Sequence, residues 1–197
     1  MKAENHLNEL IARHPELESC RDSILSAVKI MKESLNAGGK LLICGNGGSG
    51  ADAEHWAGEL LKRFCKTRPL PARLPLELAA ELEGSLPAIP LTAFSSFQSA
   101  WANDRNPDFN FAQLVNALGQ KGDVLIGLST SGGAKNVNCA VATANALGLK
   151  TVGLTGAKGG ALAVAADVAI KVPEVETFKV QELHLPVYHC ICLMLDE

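Results

Sequence analysis

The chain has 197 residues, 47% of them hydrophobic and 20% charged, with a formal net charge of −3. That length suits a single domain, and the composition can bury a core rather than stay disordered. The balance excludes a nucleic-acid surface, which needs a basic patch, but it is compatible with an anionic ligand held by backbone N–H groups and hydroxyls.

The N-terminal stretch MKAENHLNELIARHPELE is charged throughout and reads as neither a signal nor a transit peptide. No apolar run approaches the roughly 20 residues of a transmembrane helix. The six cysteines, Cys20, Cys44, Cys65, Cys139, Cys190 and Cys192, make no C-x-x-C pair and no zinc-ribbon spacing. They are expected to be reduced core residues of a cytoplasmic protein.

In chain order, residues 4–36 read as helix. Leu7, Leu10 and Ile11, then Ile24, Leu25, Val28, Ile30, Met31 and Leu35, recur at helical spacing. Pro15 splits this stretch into two helices, and Asn36-Ala37-Gly38-Gly39 stops the second. Lys40 to Cys44 is a short apolar run that ends in glycines, so a buried strand is expected there. Helix is expected over Ala51–Phe64, 94–102, 109–118, 135–147, 161–165 and 180–195. Further strands are expected over 86–91, 123–128, 150–154 and 168–172. Thr67 to Pro87 holds prolines at 69, 71, 75 and 87 around an acidic piece, and reads as a surface insertion or lid.

Apolar strands alternating with helices predict an α/β fold: a doubly wound parallel five-stranded sheet with an N-terminal helical extension, in one domain spanning 1–197. In such sheets ligands bind beyond the carboxyl ends of the strands. Two polar loops fall there. The first, Gly45-Asn46-Gly47-Gly48-Ser49-Gly50, opens into a helix; its glycines admit a ligand to the backbone, and the helix start offers free N–H groups. It is not a Walker loop or a good dinucleotide fingerprint. The second, Ser129-Thr130-Ser131-Gly132-Gly133, puts three hydroxyls between a strand and a helix start. Each loop alone is also compatible with an ordinary helix cap. His55 and Glu59 lie four apart on one helix face, where they can bind a divalent metal, act as an acid–base pair, or form a surface ion pair. The last helix is apolar nearly all round, which marks a buried helix, yet it carries Gln181, His184 and His189.

Taken together, Cys44-Gly-Asn-Gly-Gly-Ser49, Ala51-Asp-Ala-Glu-His-Trp-Ala-Gly-Glu59, Ala102-Asn-Asp104, Leu128-Ser-Thr-Ser-Gly132 and Gln181-Glu-Leu-His-Leu-Pro-Val-Tyr-His189 resemble the phosphoheptose isomerases. The match runs in order from the N-terminal helices to the end of the chain. The resemblance implies a flavodoxin-like sugar-isomerase (SIS) fold and a homotetramer, with the helices of 1–36 used in subunit packing and the sites at subunit interfaces. It implies interconversion of sedoheptulose 7-phosphate and D-glycero-D-manno-heptose 7-phosphate, with a small sugar phosphate as partner and neither nucleic acid nor membrane. Asn46, Gly47, Gly48 and Ser49 then line the sugar-phosphate site, and Ser129, Thr130 and Ser131 hold the phosphate. Asn103 and Asp104 contact the sugar. His55, Glu59, Gln181 and His189 match the zinc-site positions, one zinc per site, with Gln181 also counted among the substrate contacts. Glu59 matches the general base and His189 the general acid.

The chain departs from the family pattern at Ala134, where a serine is usual, at Thr177-Phe178-Lys179, and in the length of 67–87. Those departures support an alternative reading as a SIS isomerase or sensor for another sugar phosphate. A third reading, a non-catalytic SIS protein that binds a protein partner, is disfavoured by the presence of both Glu59 and His189.

Overall fold

A computed structural model of the chain describes residues 2–197, with side chains from Glu4 onward. Two helices open it, α1 (Lys2–Arg13) and α2 (Arg21–Asn36), separated at Pro15 by a 3-10 turn over Pro15–Cys20. Proline has no N–H to continue a helical ladder, so the break falls where the sequence places it. Five strands follow: β1 (Leu41–Gly45), β2 (Ala88–Pro90), β3 (Val124–Leu128), β4 (Lys150–Thr155) and β5 (Val168–Lys171). Their order is β2-β1-β3-β4-β5, and every pair is parallel. The remaining helices are α3 (Gly47–Leu61), α4 (Leu76–Ala79), α5 (Ser95–Asp104), α6 (Asn110–Leu118), α7 (Lys135–Ala146), α8 (Gly160–Ala165) and α9 (Thr177–Leu195). Among the described residues, no helix is long and apolar enough to cross a membrane.

Alternation along the strands sorts the core into two layers. Leu41, Ile43, Val124 and Ile126 face one layer with Leu7, Leu10, Met31, Trp56 and Tyr188, contributed by α1, α2, α3 and α9. Leu42, Cys44 and Leu125 face the other with Phe111, Val115, Val137, Val141 and Leu162, from α6, α7 and α8. A sheet covered on both faces needs apolar residues at successive positions, and this is why β1 and β3 are buried throughout.

Element boundaries differ from expectation where polar contacts, not periodicity, set them. α3 begins at Gly47 rather than Ala51, because Ser49 and Gly50 are already packed against β1 and offset the poor helix propensity of the glycines. It ends at Leu61 rather than Phe64. There the buried Arg68 guanidinium donates from Nη1 to the carbonyls of Leu60 and Lys62, at 2.6 and 2.8 Å. The same guanidinium pairs with Asp196 at 2.7 Å, which ties the 67–87 segment to the end of the chain. That segment is irregular apart from α4, and Leu76, Leu78 and Leu82 on it are exposed. All six cysteines are free, and Cys20, Cys44, Cys190 and Cys192 are buried as expected. The expectation fails for the other two. Cys65 is exposed where the chain leaves α3 for solvent, and Cys139 is half-buried beside the α7 core row of Val137, Ala140, Val141 and Ala144.

His184 of α9 is fully buried, and neither ring nitrogen lies in hydrogen-bonding geometry. Burial pushes its pKa down to about 4, opposed in part by the Thr155 backbone. Because the folded value lies below the unfolded one of about 6.5, this group leaves stability intact above pH 6.5 and removes it as pH falls toward 4. The loss over that window is on the order of 3 kcal/mol. Urea unfolding at pH 7 and pH 4 measures it: His184→Leu should have a markedly shallower acid slope than the wild type. Equal slopes would remove His184 as the source.

Candidate active site

The carboxyl ends of β1 and β3 are neighbours, with Gly45 opposite Leu128. From there the chain enters α3 on one face of the sheet and α7 on the other, so a crevice opens between the two loops. Asn46, Gly47, Gly48, Ser49, Ser129, Thr130, Ser131 and Gln181, all singled out in the sequence, line this one cleft of about 350 Å³. Ala134 and Thr177 line it too, and Thr177 carries a hydroxyl that sequence reasoning did not assign. Among the described residues, no lysine or arginine is in the lining. The Ser131 hydroxyl accepts from the Gly133 N–H at 3.1 Å and the Ser129 hydroxyl from the Ala134 N–H at 3.3 Å. Each hydroxyl keeps its own proton to give to a ligand. Together with the N-termini of α3 and α7, this is a cradle for an anion. A larger hollow of about 720 Å³ beside α5, α6 and α7, lined by Trp101, Arg105 and Phe109, holds no carboxylate, imidazole or thiol. Size therefore does not mark the site.

The cleft is braced by paired amides. Asn46 and Asn136 exchange two hydrogen bonds, at 2.8 and 2.9 Å, from opposite sides of the crevice. Asn136 was not anticipated; its only signal in the sequence is an amide in the first turn after a polar loop. Gln181 lies over Gly48, with its amide 3.5 Å from the Ser49 hydroxyl. Asn103 and Asp104 are not among the cleft residues. They form the exposed last turn of α5, where Asn103 donates to the Asp104 carboxylate at 2.8 Å.

Further along α3, which carries Ser49, and α9, which carries Gln181, lies the second half of the site. Donor atoms of His55, Glu59 and His189 all lie within 4.8 Å of one another. His55 Nε2 is 3.2 Å from Glu59 Oε1, and Lys62 Nζ donates to Glu59 Oε2 at 2.8 Å. The Lys62 ammonium, more than the opposing effect of burial, holds the Glu59 carboxyl below its usual range, and His55 adds to this. Glu59 is therefore ionised at neutral pH. Burial, then the nearby His55, lowers the pKa of His189. Its Nε2 is buried and has no hydrogen-bond partner. Two imidazoles and a carboxylate form a donor set suited to a divalent transition ion such as zinc, and the partnerless Nε2 is an atom such an ion would satisfy. The residues present thus fit a metal. Two neighbours went unassigned in the sequence: Tyr188, whose hydroxyl is 2.8 Å from His55 Nδ1, and Asp52, 3.4 Å from the same hydroxyl.

The β2-β1-β3-β4-β5 order is that of a flavodoxin-like doubly wound sheet, and the SIS domain family model, which matches residues 5–156, makes this a SIS-domain protein. The phosphoheptose isomerase of Alkalilimnicola ehrlichii is 40% identical over 98% of this chain and 92% of its own length. That of Halorhodospira halophila is 42% identical over 94% of this chain and 87% of its own. The structure of the Neisseria gonorrhoeae phosphoheptose isomerase superposes with a TM-score of 0.79 at 34% identity, covering 98% of this chain and 96% of that one. The chain belongs to the phosphoheptose isomerase family.

A Cβ on Gly48 would lie 2.6 Å from Gln181 Nε2, the far end of a flexible side chain. Gly48→Ala should therefore displace Gln181 from the cleft without unfolding the protein. Calorimetric titration with a sugar phosphate should show affinity reduced about tenfold, or 1.4 kcal/mol. Unchanged affinity would show that Gln181 is not needed at the anion end.

Proposed function

We propose that this chain is an aldose–ketose isomerase that converts sedoheptulose 7-phosphate to D-glycero-D-manno-heptose 7-phosphate. The names of its relatives support the reaction class. One observation in the chain itself carries the reading: α3 and α9 run side by side and contribute twice. Ser49 and Gln181 meet at the anion cradle, while Glu59 and His189 meet in the acid–base cluster. Gln181 and His189 are separated by eight residues, about 12 Å of helix rise. A phosphate held at one end leaves the far end of a sugar chain to react at the other.

The isomerisation moves a proton between C1 and C2 through an enediol. Ionised Glu59 takes the proton from carbon and returns it to the neighbouring carbon. His189 gives a proton to the C2 carbonyl oxygen and, as Glu59 returns its proton to C2, takes back the proton of the C1 hydroxyl, which becomes the aldehyde. Burial makes its imidazolium a stronger acid than usual, while reducing the protonated fraction at neutral pH. The residues that would hold a zinc ion are His55, Glu59 and His189, with Gln181, which in its own chain lies at the anion end, joining them from a neighbouring subunit; when bound, such an ion would supply Lewis-acid stabilisation of the enediolate oxygen. Ser129, Thr130 and Ser131 orient the phosphate, and Asn46, Gly47, Gly48 and Ser49 close the cradle from the other loop. Asn103 and Asp104 lie outside this cleft on the exposed last turn of α5 and would act on the sugar of a site shared with a neighbouring subunit.

The same reading takes the protein to be a cytoplasmic homotetramer with sites at subunit interfaces. It is supported by apolar side chains exposed in and before α9, among them Val175 and Phe178. Ala134 in the cleft lining offers no hydroxyl, and that observation favours, as a second reading, a SIS isomerase or sensor for another sugar phosphate.

Purified protein mixed with sedoheptulose 7-phosphate should form the aldose, lose activity with a chelator, and regain it with zinc. Glu59→Gln should lower kcat by about 10²–10⁴ with an unchanged melting temperature. Near-normal turnover by that variant would refute Glu59 as base. Turnover of another sugar phosphate alone, in a panel of such substrates, would favour the second reading.

A further inference from the structure

Tyr188 sits one residue before His189 on α9, with no exposed surface. Its ring stacks on Trp56 at 5.5 Å and 17°. It meets His55 edge-on at 5.5 Å and His189 edge-on at 4.9 Å. Trp56 is itself fully buried, so the ring is clamped between the core and the two histidines. A phenylalanine would fill that space equally well. What tyrosine adds is one oxygen, and the structure shows where it goes: 2.8 Å from His55 Nδ1 and 3.4 Å from Asp52 Oδ1. A second observation converges on the same spot. The other Asp52 oxygen, Oδ2, is buried and has no hydrogen-bond partner, so this carboxylate is held facing the phenol rather than solvated.

A neutral imidazole has one N–H and one lone pair, and which nitrogen carries the proton depends on the partner of the other. A phenol hydroxyl can donate or accept, whereas an ionised carboxylate only accepts. Two arrangements are therefore open to the chain Asp52–Tyr188–His55. In one, the Tyr188 hydroxyl donates to Nδ1, and Nε2–H donates to Glu59 Oε1 across 3.2 Å. In the other, the hydroxyl turns its proton to Asp52 and accepts from Nδ1–H, so that the Nε2 lone pair points into the cluster of His55, Glu59 and His189. The imidazole stays neutral in both.

We propose that Tyr188 is a positioning residue whose hydroxyl, backed by Asp52, selects the His55 tautomer and fixes the ring so that Nε2 can serve as a metal ligand. The proposal rests on the metal reading given above. It assigns Tyr188 no contact with substrate and no step in the isomerisation. Outer partners of ligating histidines generally change metal affinity by 10- to 100-fold, and Tyr188 is placed to act in that way.

The test is Tyr188→Phe, with zinc affinity measured directly by competition of the metal-free protein against a chromophoric chelator. The expected result is a 10- to 100-fold rise in the zinc dissociation constant with an unchanged circular dichroism spectrum. KM should stay near the wild-type value, and kcat should recover at saturating zinc. Nitrogen-15 spectra of zinc-loaded wild type should show His55 protonated at Nδ1. Should Tyr188→Phe fail to fold, Asp52→Asn carries the test, because it removes the charge that draws the phenol proton; weaker zinc binding by a smaller factor is then expected. Equal zinc affinity in the folded variant and the wild type would overturn the role of Tyr188 while leaving the metal reading standing. A wild-type protein that binds no divalent ion would overturn both.

Discussion

The site depends on the parallel pairing of β1 with β3. Both strands lie at the centre of the sheet, and the chain leaves their adjacent ends toward opposite faces. This is the switch point of the β2-β1-β3-β4-β5 sheet, where doubly wound folds bind their ligands. The crevice is therefore a consequence of topology, and the loop residues decide what it can bind. The Asn46–Asn136 amide pair holds its two rims together, one from each side of the sheet. Gly48 is as important as the polar residues, because any side chain there would occupy the space taken by Gln181.

An acidic chain that binds an anion must supply positive potential locally. Here two helix N-termini aim at the same cleft, and the hydroxyls of Ser129 and Ser131 are already anchored by loop N–H groups. Such donors are fixed before any ligand arrives, so little reorganisation accompanies binding. They also explain how an anion cradle can lack lysine and arginine among the described residues of its lining. The acid–base cluster uses a different device. Its groups stand on two helices locked by the buried Trp56–Tyr188 stack, and rigid elements position side chains more accurately than loops do.

Much of this was legible in the sequence. The five strands, the break at Pro15 and the two polar loops follow from periodicity and punctuation, since apolar runs and glycines report directly on burial and turns. The pairing of His55 with Glu59 was legible for the same reason: four residues on a helix are neighbours whatever the rest of the chain does. Contacts between elements were not. Nothing in the order of residues reveals that Arg68 reaches Asp196, or that it also bonds the Leu60 and Lys62 carbonyls where α3 ends. Nor does it show that Tyr188 turns its hydroxyl to His55, because a tyrosine in an apolar helix looks like core, and its ring is core. Asn103 and Asp104 illustrate the converse. A motif gave them a role, yet the helix that carries them runs on to Asp104 and leaves both on its exposed last turn.

The charge states in the cluster constrain how its members can share the work. Lys62 keeps Glu59 ionised, which gives a base that is always available but of modest strength. Burial keeps His189 mostly neutral at pH 7, with a lone pair on a nitrogen that has no protein partner. A neutral imidazole with a free lone pair is in the form that binds a cation, while the proton donor is the minor form. Acid and ligand roles for His189 therefore exclude each other at any one moment, and the same holds for Glu59 as free base and as ligand. A cluster of three groups held within 4.8 Å can exchange these roles through small side-chain rotations. The hydroxyl behind His55 matters for that reason. In the proposed mechanism His55 has no competing duty, so it is the residue that can hold one geometry while its two partners change theirs.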